Sequence, residues 1–183
     1  MKSQQELAKI EENELVEKAK TDQQAFVKLY NNYYDRIYNF ILKRTGHVET
    51  AEDIVSETFI KVFNNLDKYQ FQGYSFSAWL YRVASNLMID HFRKEGKHKN
   101  VDIDEYPNIA DSHSADEHTL ALESQEEVKL ILNKLPERER QVLELKFFAQ
   151  LSNQEIAEVM KISISNTGVL IYRALKKCQK IKP

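Results

Sequence analysis

Apolar residues recur at steps of three and four along most of this chain, the spacing of amphipathic helices. The first long run carries Phe26, Leu29, Tyr30, Tyr33, Ile37, Phe40 and Ile41, with Asp22 placed to cap a helix and Gly46 to end it. Thr50 and Asp53 stand three apart, as in a capping box, and predict the start of a second helix. Its buried stripe is Ala51, Ile54, Val55, Phe59, Val62, Phe63 and Leu66, and its outer face is Glu52, Asp53, Ser56, Glu57, Lys61 and Asn64. A glycine-containing loop, Gln70-Phe-Gln-Gly-Tyr-Ser75, comes next. A third long helix is expected from about Ser77 to Lys94, burying Leu80, Val83, Ala84, Leu87 and Met88. Its other face shows Tyr81, Arg82, Ser85, Asn86, Asp90 and Arg93. Most aromatic residues here belong to a core, but exposed rings beside arginine, asparagine and a basic helix end suit the stacking and edge contacts of unpaired bases.

Near the C-terminus the pattern changes to two shorter amphipathic helices around a tight turn. Ser152 and Glu155 have capping-box spacing, and Ile156, Ala157, Val159 and Met160 give the first helix its apolar face. Lys161-Ile162-Ser163 makes the turn. The second helix is expected to bury Val169, Tyr172 and Leu175 and to turn Ser165, Asn166, Thr167 and Arg173 outward. This is the pattern of a helix-turn-helix, whose second helix enters a DNA major groove by its N-terminal residues. A helical hairpin in an ordinary bundle would read the same way. The tail favours DNA: Arg173, Lys176, Lys177, Lys180 and Lys182 follow with no acidic residue after Glu158.

Between these halves lies a segment of opposite character. Residues 102–127 hold Asp102, Asp104, Glu105, Asp111, Asp116, Glu117, Glu123, Glu126 and Glu127 and no lysine or arginine. Too little of it is apolar to offset the entropy of ordering, so it is expected to be a flexible tether, turning helical near Thr119. Arg93, Lys94, Lys97 and Lys99 immediately precede it. The acidic run either keeps the linker soluble or competes with DNA for the basic surfaces beside it. The fold class is therefore all-α: two small helical domains, residues 10–100 and 128–183, joined by an acidic linker at 101–127.

Composition narrows the class further. The chain has 183 residues, 30% of them charged, with only 4 glycines and 3 prolines, which suits helices throughout. Its formal net charge is only −2, so nucleic-acid binding has to be argued from charge distribution. The polar N-terminus has no signal-peptide pattern and no apolar run reaches membrane-spanning length, so no membrane insertion is expected and the location is read as cytoplasmic. The lone Cys178 fits a reducing cytosol.

Two segments are specific enough to carry a resemblance. Phe76-Ser-Ala-Trp-Leu-Tyr-Arg-Val-Ala-Ser-Asn-Leu-Met-Ile-Asp-His-Phe-Arg-Lys94 and Ala51-Glu-Asp-Ile-Val-Ser-Glu-Thr-Phe-Ile-Lys-Val-Phe63 closely resemble regions two-point-two to two-point-four of bacterial extracytoplasmic-function (ECF) sigma factors of the sigma-70 family. The stretch from Glu14 through Phe40 is similar to their region two-point-one, and Leu135-Pro-Glu-Arg-Glu-Arg-Gln-Val-Leu143 with the helix-turn-helix is similar to region four. The resemblance implies a factor that binds core RNA polymerase, directs it to promoter DNA and helps open the minus-ten element. It makes the two domains regions two and four. Asp53, Glu57, Lys61 and Asn64 would dock on the polymerase clamp. Phe71, Tyr74, Ser75, Trp79, Arg82, Asn86, Arg93 and Lys94 would engage the minus-ten element, where a base is extruded and read on its edge. Ser165, Asn166, Thr167, Arg173, Lys176 and Lys177 would read the minus-thirty-five duplex. An anti-sigma factor is the expected inhibitor, and no cofactor, metal or catalytic residue is implied.

This chain departs from the family pattern in places. Lys161 occupies the turn position usually held by glycine, and Gly168 and Leu170 stand where the recognition helix often carries Lys or Arg. Gly168 costs roughly 1 kcal/mol relative to Ala in a helix but lets the backbone approach DNA. The loop before Trp79 is one residue shorter than in many relatives, so promoter sequence does not follow. Two other classes are weighed. Arg138-Glu-Arg-Gln-Val-Leu-Glu-Leu-Lys146 and Ser152-Asn-Gln-Glu-Ile-Ala157 also resemble response-regulator-type transcription factors, but those carry an α/β domain in front. A hydrolase or metalloprotein built on His91, His98 and Cys178 lacks zinc-site spacing and a phosphate loop, and His113 and His118 are bystanders in the linker.

Overall fold

The computed structural model describes residues 4–70, 75–94 and 127–181, with side chains from Ile10 onward. Phe71, Tyr74, the linker histidines and nearly all of the acidic segment, including the turn to helix expected near Thr119, lie outside the described residues. Among those described, every regular element is helical. They are α1 (Gln4–Ala19), α2 (Gln23–Thr45), α3 (Val48–Asn65) with a single 3-10 turn at Leu66–Lys68, and α4 (Phe76–Lys94). After the undescribed stretch come α5 (127–133), α6 (Glu137–Leu143) running into a π-helical turn (Glu144–Phe148), α7 (Asn153–Met160) and α8 (Ile164–Ile181).

The caps explain the boundaries. The Asp22 side chain accepts from Gln24 N at 2.8 Å, leaving α2 with one fewer orphan donor. Gly46 closes that helix with φ 77, and its N–H reaches Leu42 O. The start predicted at Thr50 is corrected: α3 begins at Val48 behind His47, which gives no side-chain cap, and Thr50 sits inside the first turn. Ser152 and Glu155 form the expected reciprocal capping box at 2.8 and 3.2 Å. Lys161 adopts φ 54, the left-handed conformation that ends α7 and for which glycine is the unstrained residue.

The N-terminal core is the stripe that the spacing indicated. Ile37, Phe40 and Ile41 of α2, Val55 and Val62 of α3, and Phe76 and Leu80 of α4 are almost wholly buried. Three assignments change. Phe63 is 56% exposed, standing edge-on to Phe26 with ring centroids 4.9 Å apart. Tyr81 is buried instead of outward-facing, edge-on to Phe40 at 5.3 Å. Ser85 is also buried, and its Oγ finds no hydrogen-bond partner among the described residues.

In the C-terminal half, Val142, Leu143, Leu145, Leu151, Ile156, Val159 and Ala174 make the core. Here α8 is rotated relative to expectation. Thr167 and Ala174 face inward, with Leu170, Ile171 and Cys178 packed behind them, whereas Val169, Tyr172 and Leu175 are exposed. Thr167 tolerates burial because its hydroxyl donates to Ser163 O, 3.2 Å away, in its own first turn. The two halves are not separate in this arrangement: α7 packs on α4, and the π-helical turn on α2.

Candidate nucleic-acid interface

The α3 face assigned to polymerase docking comes out as the spacing required. Asp53, Glu57, Lys61 and Asn64 are all exposed, and Lys61 Nζ lies 3.1 Å from Glu57 Oε1, one turn away. Sequence reasoning missed the apolar part of that surface: Ile60 is 58% exposed beside Phe63, so the acidic strip borders two large apolar side chains. The signal was present in Ile60 lying off the i, i+3, i+4 stripe. Large exposed apolar groups rimmed by charge mark binding surfaces.

Between α3, the turn after it and α4 lies an open groove of about 460 Å³ that brings together Lys61, Asn65, Lys68, Tyr69, Trp79, Asn86 and Asp90. Trp79 is half-buried, stacked on Tyr69 at 5.1 Å and edge-on to Phe76 at 5.7 Å, which fixes its ring as one wall. Burial pushes the Tyr69 hydroxyl up to about 12, with Glu12, Glu158 and Glu17 adding to it, so it stays a neutral donor. Asn86, about two turns beyond Trp79 on α4, is exposed and offers an amide to the same space. Asn65, Lys68 and Tyr69 were not singled out from sequence, because they lie at the very end of α3 and in the turn after it, where there is no periodic signature. Arg93 and Lys94 are exposed at the end of α4, outside the groove, with Arg93 Nη1 3.5 Å from Asp90 Oδ1.

Two residues assigned to the minus-ten element are instead held by α7. The Ser75 amide and hydroxyl both donate to Glu158 Oε2 at 3.1 Å. Arg82 Nε donates to Val159 O at 3.0 Å, and its Nη2 to Glu158 O. A guanidinium on the last carbonyls of a helix satisfies orphan acceptors and meets the negative end of the helix dipole. These contacts hold the Ser75 and Arg82 side chains against α7. Glu158, buried on the apolar side of α7, is the missed member of the pair.

A second polar cluster joins the halves. Arg44 Nε of α2 lies 2.7 Å from Glu144 Oε1 in the π-helical turn, both side chains nearly buried, in an ionic contact without hydrogen-bond alignment. Arg140 Nε is 3.8 Å from the same oxygen. The Arg44 guanidinium also sits 4.4 Å over the Phe92 ring and donates to Asn133 Oδ1 at 3.2 Å. Burial pushes the Glu144 carboxyl above the usual range, and the two arginines pull it back. Lys129 of α5 is pushed down to about 8, first by burial and then by Arg44.

On α8, Ser165, Asn166, Arg173 and Lys176 are exposed as expected; Thr167, expected to face outward, is corrected to a buried position. Asn166 N donates to Ser163 Oγ at 3.2 Å, so Ser163 is the cap and the Asn166 side chain is left for other use. Lys177 is tied to Glu139 of α6, 2.7 Å away. Lys176 Nζ lies 5.1 Å over the Tyr172 ring. Burial raises the Cys178 thiol, the opposite of a reactive cysteine. No group of His, Cys, Asp and Glu among the described residues can hold a metal ion, and no described helix is long and apolar enough to cross a membrane.

Comparison with known proteins agrees with this layout. Residues 29–98 match the model of Sigma-70 region 2, and residues 125–178 that of Sigma-70, region 4. The ECF RNA polymerase sigma factor SigW of Bacillus subtilis is 33% identical over 170 residues, covering 88% of this chain and 90% of its own. The RNA polymerase sigma factor YlaC of the same organism is 31% identical over 155 residues, covering 83% and 88%. In fold, the chain is similar to CnrH solved with the cytosolic domain of CnrY, with a TM-score of 0.69 at 22% identity over 93% of this chain and 96% of that one. It is also similar to the sigma factor RpoE of Bartonella quintana solved with the anti-sigma factor NepR, with a TM-score of 0.62 at 19% identity over 85% and 94%. Two matched regions in order, on an all-helical frame that leaves an open groove on one and an exposed recognition helix on the other, place this chain in the extracytoplasmic-function family of RNA polymerase sigma factors.

Proposed function

We propose a division of labour among three surfaces for a chain that, as an ECF sigma factor, binds core RNA polymerase and directs it to promoters. The outer face of α3, with Asp53, Glu57 and Asn64 beside Ile60 and Phe63, docks on the polymerase clamp. The groove takes one base extruded from the minus-ten element: Trp79 supplies the ring wall, Asn86 the edge contact, and Lys61 and Lys68 the cations that meet the strand. The first turns of α8 enter the major groove of the minus-thirty-five element through Ser165, Asn166 and Arg173, with Lys176 on phosphate. Residues 101–127 act as the tether between regions two and four, and an anti-sigma factor of the kind solved with RpoE is the inhibitor.

The observation that carries this reading is the meeting of Trp79 and Asn86 with Lys61 and Lys68 in one open groove. An aromatic wall, a two-way amide and a cationic rim are what a flipped base on a polyanion needs. Ser75 and Arg82 join the promoter contact only after α7 leaves them. Run-off transcription with purified core polymerase on a genomic fragment library tests the reading and reports both promoter elements. Transcripts should start downstream of a shared pair of elements, and an absence of any factor-dependent start would overturn the reading.

A further inference from the structure

Between Lys161 and Arg173 the recognition helix carries no charged side chain, and part of what it exposes there is apolar. Val169 is 46% exposed and Tyr172 59%. At helical spacing both fall on the side that carries Asn166, Arg173 and Lys176, while Thr167 and Ala174 occupy the buried side. Nothing lies within 4 Å of where a Cβ on Gly168 would stand, so the surface next to Val169 is open down to the backbone. An isolated exposed valine needs no explanation. This one sits between a free asparagine amide and a ring of cations, Arg173, Lys176 and Lys180, with no acidic residue after Glu158.

That combination constrains the occupant. A polyanion satisfies the cations, and the apolar centre then has to meet an apolar group on it. On the floor of the major groove the thymine 5-methyl is that group. We infer that this helix reads its upstream element by a thymine methyl packed against Val169, with Tyr172 closing over the same contact and Asn166 reading a neighbouring base pair. Three residues of helix advance about 4.5 Å, close to the roughly 3.4 Å step of one base along a strand, so Asn166 and Val169 address adjacent steps. Guanine-directed readout by arginine, common in such helices, is confined here to Arg173, one turn later. The inference rests on the proposal that α8 reads duplex DNA, and names what it reads.

The test uses the full chain with core polymerase on promoter fragments in which each thymine of the upstream element is replaced in turn by deoxyuridine, which lacks only the 5-methyl. At one position the replacement should weaken binding about three- to fivefold, the effect of one methyl no longer buried. Val169→Ser should lose a similar factor on the parent promoter and show no further loss on that deoxyuridine promoter. Val169 is exposed, so the variant should melt as the parent does, and the deoxyuridine series needs no variant at all. Deoxyuridine at every position without effect, while base substitutions in the element still matter, overturns the inference but leaves the reading of α8 intact. Equal losses by Val169→Ser on thymine and deoxyuridine promoters overturn it as well. Weakened co-elution of Val169→Ser with core polymerase in the absence of DNA marks the face as a protein-docking surface and overturns it too. If no upstream element affects binding at all, the reading of α8 itself fails.

Discussion

Replacing Arg44 by methionine keeps much of its apolar stem over Phe92 but removes the charge that faces Glu144. The carboxylate then keeps only Arg140, at 3.8 Å, while its side chain remains 5% exposed. Breaking a buried pair from one side costs roughly 3–5 kcal/mol if the orphan stays charged and buried. The contact of the guanidinium with Phe92, on the order of 1 kcal/mol, is lost as well. Glu144 has two ways out. It can take up a proton, which its raised pKa already favours, or the π-helical turn can leave α2 and expose it to water. The second route requires no unfolding, because Arg44 and Glu144 belong to the two different matched regions. At about 1.4 kcal/mol per tenfold, Arg44→Met should shift the closed-to-open equilibrium by roughly a hundredfold or more. Small-angle scattering should show a larger radius of gyration at neutral pH. The Ser75 amide, which donates to Glu158 across the same interface, should lose hydrogen-exchange protection. Adding Glu144→Gln should restore compactness, since no charge is then stranded. An unchanged radius with full Ser75 protection in Arg44→Met would refute the reasoning. A lower melting temperature at an unchanged radius would place Glu144 in the stability of the C-terminal half alone, through Arg140.

Four further outcomes follow from the geometry. Asp53→Lys or Glu57→Lys should weaken co-elution with core polymerase, with melting temperature unchanged because both are exposed; full binding by both well-folded variants removes α3 from the docking surface. Asn86→Ala should leave core binding and duplex capture in place yet reduce permanganate reactivity at the minus-ten element, and normal strand opening would make Asn86 structural. Lys176→Ala should lower the salt slope of promoter binding by about one unit, whereas Lys177→Ala, already neutralised by Glu139, should change it less and cost at most about 1 kcal/mol of stability; equal slopes would contradict the pairing. Burial and then Arg44 lower Lys129 from 10.5 to about 8 in the packed state, so the cost of protonating it there is full below pH 8, shrinks as pH rises and is gone above 10.5. Stability of the chain should therefore rise between pH 8 and 10 by an amount that Lys129→Gln removes, measured by denaturant midpoint, and an identical pH profile in the variant would contradict the assignment.

The elements that sequence reading placed well are those whose signal is local. The α2 and α4 stripes, the Asp22 cap, the Gly46 stop and the Ser152 capping box each depend on residues within one or two turns, and the structure keeps them all. The Thr50 start failed although its spacing was right, because a threonine inside a first turn has the same spacing as one before it. The polar cluster between the halves was not legible at all. Ser75 and Glu158 are 83 positions apart, and neither residue carries a mark of the other. Glu158 reads as the polar face of a short helix and Arg82 as a DNA contact, until α7 and α4 are seen packed together.

Helix α8 shows where hydrophobicity misleads. Val169, Tyr172 and Leu175 fit an apolar stripe at spacing three, and Thr167 reads as polar, so burial by side-chain type turns the helix the wrong way. The physical balance runs otherwise. Thr167 satisfies its hydroxyl on Ser163 O within its own turn, so burying it leaves no orphan donor. Leu170, Ile171 and Cys178 then supply the packing that Val169 and Tyr172 were expected to give. An apolar face left over on the side that carries Asn166, Arg173 and Lys176 costs solvation in the free protein, and that cost is recovered only when something apolar covers it. Residues whose type contradicts their burial are therefore the ones to test first on this helix: Val169 before Ser165, and Tyr172 before Lys177.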